Sequence, residues 1–78
     1  MSENGYFTVI RKDGEGFKAF ILGLDFLHVR GRTVEETKKT AQEAVALVVS
    51  DARARGEDLP EPGGKPSEGD GEIIFIEI

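Results

Sequence analysis

The chain has 78 residues, no cysteine, a single histidine (His28) and a formal net charge of −5. A chain of this length makes one domain and buries only about 60% of its unfolded surface, so its core is thin. Disulfides, thiolate metal sites and a His-rich metal site are excluded, no cofactor is expected, and oligomerisation is the remaining staple that small domains recruit.

Residues 6–11 (YFTVIR) are aromatic and β-branched and read as a first strand. Asp13-Gly14-Glu15-Gly16 supplies hairpin-turn chemistry, and residues 17–22 (FKAFIL) read as the second strand. Gly23-Leu24-Asp25 breaks it, and residues 26–30 (FLHVR) read as a short third strand ended by Gly31.

The helix signal is the cleanest. Thr33 is an N-cap residue with Glu36 three positions later, a capping box in which Glu36 reaches back to the Thr33 N–H. Glu35 and Glu36 in the first turn, and Arg53 and Arg55 in the last, complement the helix dipole, and Gly56 is placed as the left-handed residue beyond the end. Ala41, Ala44, Val45, Val48 and Ala52 recur at spacings of three and four and form a small-residue face suited to lying close on a sheet.

Residues 57–71 carry all three prolines and several glycines and read as a loop. Residues 72–78 (EIIFIEI) close the chain as a strand whose successive apolar residues suggest burial on both faces. The expected fold is α+β, ordered β-β-β-α-β, with one helix on a mostly antiparallel sheet. The last strand is expected beside the first and parallel to it, through a right-handed crossover.

A single helix covers one face of a sheet, yet both faces offer apolar residues. One face would stay exposed in a monomer, which predicts a homodimer or a partner contact. The candidate interface residues are Phe7, Val9, Phe20, Leu22 and Phe26.

Charge is uneven. Residues 57–78 hold seven acidic side chains against Lys65 alone. An acidic segment disfavours phosphate contact, so direct nucleic-acid binding is not expected. The first residues lack the basic and apolar regions of a signal peptide, and no apolar run approaches the roughly 18 residues of a membrane span. A cytoplasmic protein is expected.

The stretch from Glu15 to Glu36 resembles the HicB-like antitoxin family. Gly16, Ala19, Phe20, Leu24, Gly31, Thr33 and Glu36 fall on that family's pattern, a glycine-containing turn, an aromatic-Ala-aromatic strand and a Gly-x-Thr-x-x-Glu helix start. The Ala-rich helix and Leu59-Pro60-Glu61-Pro62 extend the resemblance to residues 6–62. The family's Pro- and Gly-bearing corner is here Leu22, Asp25 and Phe26, and its alanine after the helix motif is Thr37. The resemblance implies a degenerate ribonuclease-H-like fold that binds and neutralises a small HicA-type ribonuclease toxin. Many relatives add a C-terminal DNA-binding domain. This sequence closes on its last strand, so no such domain and no DNA binding are expected.

Enzyme chemistry is not evident. A metal-dependent nuclease needs converging carboxylates. The candidates Asp13, Glu15, Asp25, Glu43 and Asp51 are scattered over a turn, a corner and a helix flank. His28 lacks an evident nucleophile, with only Asp25 near enough in sequence to orient it. Gly63-Gly64-Lys65 lacks the spacing of a phosphate loop. Arg30 and Arg32 flank Gly31 near the helix start, where they read as solvated side chains ahead of an anion site. The alternative to an antitoxin is an orphan homo-oligomer of unknown role, ligand binding included. A residual nuclease ranks below both.

Overall fold

A computed structural model of the chain describes residues 5–61, 63 and 71–78. The elements are β1 (Gly5–Asp13), β2 (Gly16–Ile21), β3 (Val29–Gly31), α1 (Val34–Arg55) and β4 (Glu72–Glu77). They form one antiparallel sheet in the order β3-β2-β1-β4, with α1 packed mainly over β3 and β2.

The hairpin is as expected. Asp13 pairs with Gly16, and Gly14 takes φ 63° at the first central position, where glycine meets no Cβ penalty. The third strand is shorter than expected. Residues 22–28 instead make successive turns, with the Leu24 N–H donating to Ile21 O and the Leu27 N–H to Leu24 O. Gly23, at φ 103°, begins this reversal and points Leu24 into the interior, where it is fully buried.

The expected parallel direction of the last strand is overturned: β4 lies beside β1 but runs antiparallel, Ile10 pairing with Glu72 and Gly5 with Glu77. The reason lies in where the chain goes after the helix. Starting beside Gly31 at the hairpin end, α1 runs down the sheet for 22 residues, about 33 Å. The Tyr6 hydroxyl donates to Pro60 O and the Gly63 N–H to Leu22 O, both at the far end of the sheet. The chain then re-enters the sheet at Glu72, opposite Ile10 at the hairpin end, so β4 must run back toward Gly5. A parallel crossover would have needed β4 to start where the helix finishes. The handedness rule therefore does not apply.

The helix ends follow the sequence signals. Thr33 Oγ1 accepts from the Glu36 N–H at 3.0 Å, and Gly56 adopts φ 69°. Beyond it the Glu57 N–H donates to Ala52 O, a Schellman closure. Glu36 differs in one detail, accepting from the Arg32 N–H at 3.0 Å where the Thr33 N–H was expected. The buried face is Thr37, Ala41, Val45, Val49 and Ala52; Val49 takes the place expected for Val48, which is only half-buried with Ala44 at the margin.

These helix residues meet Tyr6, Ile10, Ala19, Ile21, Leu24, Val29 and Ile76 in the core. Thr8 is fully buried at the centre of β1, and its hydroxyl has no hydrogen-bond partner among the described residues. Burial raises the pKa of the Tyr6 phenol by penalising its charged form. Lys38 joins the helix to the start of β4 through Glu72 at 2.6 Å, and this hydrogen bond is the main reason its pKa is raised.

Candidate protein-binding face

Side chains directly opposite each other in an antiparallel pair share a face. The pairs Val9–Phe20, Phe7–Phe75 and Val9–Ile73 therefore gather these residues on the sheet face away from α1. Leu22 extends the patch, its N–H donating to Phe7 O. The Phe7 and Phe75 rings meet edge to face with centroids 5.0 Å apart. Phe20, Phe75 and Ile73 stay 41%, 40% and 37% exposed, while Val9 at the centre is buried among them. The outer face thus carries a contiguous apolar patch.

At the hairpin end the patch meets a row of cations. Arg11 lies opposite Lys18, and Lys18 opposite Arg30, across three strands. Like charges directly opposite oppose folding. Two contacts soften the cost: Arg30 binds Asp13 at 2.7 Å, and the Lys18 ammonium sits 5.1 Å from the Phe20 ring centroid. The face is therefore apolar in its middle and basic at one end, in a chain that is acidic overall.

Of the residues singled out in the sequence, Phe7, Val9, Phe20 and Leu22 come together on this face. Phe26 does not belong to a strand; it lies in the turn after β2, 60% exposed. Ile73 and Phe75 complete the patch; alternation along the last strand sets them apart from Ile74, Ile76 and Ile78, although they were not among the candidate interface residues. The cation row was also missed, since its members are far apart in sequence and only the strand register aligns them.

The remaining motif residues have structural roles. A Cβ on Gly16 would lie 2.6 Å from Gly31 O, and one on Gly31 would lie 2.5 Å from Thr37 Oγ1 and 2.8 Å from the Thr37 nitrogen. These two glycines let the helix start sit directly on the sheet. Thr37 donates its hydroxyl to Thr33 O at 2.7 Å, so this fully buried residue has its polar atom satisfied. Ala19 is core, and Thr33 and Glu36 are the cap.

The candidate carboxylates stay apart. Asp13 is engaged with Arg30 and Asp51 with Arg55, while Glu15, Asp25 and Glu43 are exposed. Among the described residues no group of three or more His, Asp or Glu side chains could hold a metal ion. Asp25 and exposed His28 line one shallow cleft with Phe20, Leu24 and Leu27, without a hydrogen bond between them. Arg32 is exposed at the helix start. Lys65 and Gly64, of the glycine-lysine stretch, lie outside the described residues. Among the described residues no helix is long and apolar enough to cross a membrane. Compared with protein-family models, curated proteins and solved structures, the chain matches none.

Proposed function

We propose that this chain is a non-enzymatic protein-binding module that uses its outer sheet face, and specifically an antitoxin of HicB type that neutralises a small basic ribonuclease. The observation that carries the binding reading is the contiguous patch of Phe7, Val9, Phe20, Leu22, Ile73 and Phe75, with three of these side chains more than a third exposed. Burying that much apolar surface on a partner is favourable at about 25 cal/mol per Å² before the costs of association. The antitoxin reading adds the pattern from Gly16 to Glu36. The ribonuclease-H-like ancestry that goes with it is supported by the β-β-β-α-β order, and the antiparallel β4 is a departure from the parallel closing strand expected for this chain. A net charge of −5 steers a basic partner toward the chain, and the Arg11–Lys18–Arg30 row requires acidic side chains on that partner where it meets the hairpin end.

The test is co-expression with the products of neighbouring genes, followed by an RNA-cleavage assay. A small basic ribonuclease is expected to co-purify and to lose activity. Phe20→Lys is expected to restore cleavage while leaving the fold intact, as read by circular dichroism. Neutralisation unaffected by Phe20→Lys, or neighbours that include no such ribonuclease, would sink the reading.

A further inference from the structure

Among the described residues β4 is an edge strand with little of the usual protection of one, its single helix-side charge, Glu72, being paired with Lys38. Among the described residues its only neighbour is β1, and its outer backbone N–H and C=O groups face away from the sheet. Natural edges are kept short, or carry proline or inward-pointing charge. The opposite edge, β3, is three residues long, whereas β4 has six, no proline, and four apolar residues between Glu72 and Glu77. Both of its faces are apolar and incompletely covered. Ile73 and Phe75 are exposed on the outer side, while Ile78, just beyond the strand, borders a groove of about 370 Å³ that Val45, Ala46 and Val49 line from the helix.

We propose that the occupant of this edge is β4 of a second copy, paired antiparallel about a two-fold axis into a continuous eight-stranded sheet. An edge of six residues, apolar on both faces, is best matched by a strand of equal length that is itself apolar on both faces, and β4 is such a strand. Register supports self-pairing. Opposite residues must share a face, so the axis passes through Ile74 or through Phe75. Glu72 and Glu77 project to opposite faces, so neither register sets Glu72 of one copy against Glu77 of the other. With Ile74 on the axis, Ile73 of each copy meets Phe75 of the other. The two outer patches then become one apolar surface across the seam, with a cation row at each end. Each copy carries −5, so the dimer is expected to tighten as salt screens the repulsion. This seam stands on the edge strand alone and does not rest on the toxin reading.

The chain has no cysteine, so single cysteines report the geometry without background. Sedimentation equilibrium of the native chain at micromolar concentration is expected to give twice its 8.5 kDa mass. Under mild oxidation Ile74→Cys or Phe75→Cys should link to itself, because directly opposite Cα atoms lie roughly 4.5–5.5 Å apart, within disulfide range. Phe20→Cys, two strands from the seam, should stay unlinked. A monomeric native mass overturns the proposal. So does linkage at neither β4 position, or linkage at Phe20→Cys in their place, which would mean stacked outer faces. The native mass decides even if a cysteine variant fails to fold, and no readout needs a toxin, so failure here is separable from failure of the neutralisation assay.

Discussion

Replacing Gly31 with alanine tests how closely the helix start rests on the sheet. Gly31 has no positive φ, so the backbone itself tolerates a side chain, and the only obstacle is space. The new Cβ would lie 2.5 Å from Thr37 Oγ1, 2.8 Å from the Thr37 nitrogen and 3.0 Å from its Cα. Two of these three atoms are backbone, held by the Thr37 N–H bond to Thr33 O and so unable to rotate away. Overpacking of this kind costs about 1–3 kcal/mol, and the entropic benefit of losing a glycine returns only about 0.4–1 kcal/mol. A net loss of about 1–2 kcal/mol is expected, read as a lower urea midpoint at unchanged slope. For a domain of this size that is a fall in Tm of roughly 4–8 °C per kcal/mol. Adding Thr37→Ala removes the hydroxyl contact but not the backbone ones, so the double variant should recover only part of the loss. Gly31→Ala at native stability would refute the reasoning, and full rescue by Thr37→Ala would show that the hydroxyl alone was the obstacle.

Thr8→Val replaces a buried hydroxyl with no partner among the described residues by a methyl group of similar size. It should raise stability by about 1 kcal/mol in urea unfolding, whereas a loss would mean that the hydroxyl is satisfied. The Tyr6 pKa is raised in the folded chain, so above the unfolded value of about 10 the unfolded state loses its proton first. Stability should therefore fall as pH rises past about 10, until the folded phenol also ionises. Tyr6→Phe should remove that alkaline loss while costing about 1 kcal/mol at neutral pH through the lost bond to Pro60. An unchanged alkaline profile in Tyr6→Phe would assign the loss to another group. Leu24→Ala should cost about 2–5 kcal/mol, because its side chain is fully buried in the core. A cost below 1 kcal/mol would show that the turn does not plug the core.

Much of the fold is legible from short-range chemistry. The hairpin at Gly14, the cap at Thr33, the left-handed Gly56 and the order of the elements depend on residues a few positions apart, and the sequence alone determines them. Alternation likewise sets Phe7 with Val9 and Phe20 with Leu22, and the short hairpin turn between the strands brings the two pairs onto one face. What the tertiary structure decided is non-local. Whether β4 runs with or against β1 depends on which end of the sheet the chain reaches after residues 57–71, and local propensity does not record that path. Leu24 reads as a strand break yet fills the core, because two successive turns point it inward. Val49 displaces Val48 from the centre of the buried helix face because the angle of α1 on the sheet is set by its partners. The outer face shows the same division. Its apolar character, Ile73 and Phe75 included, is written in the alternation of each strand, but the Arg11–Lys18–Arg30 row forms only through register. Register is set by hydrogen bonds between strands remote in sequence, so no single segment carries it.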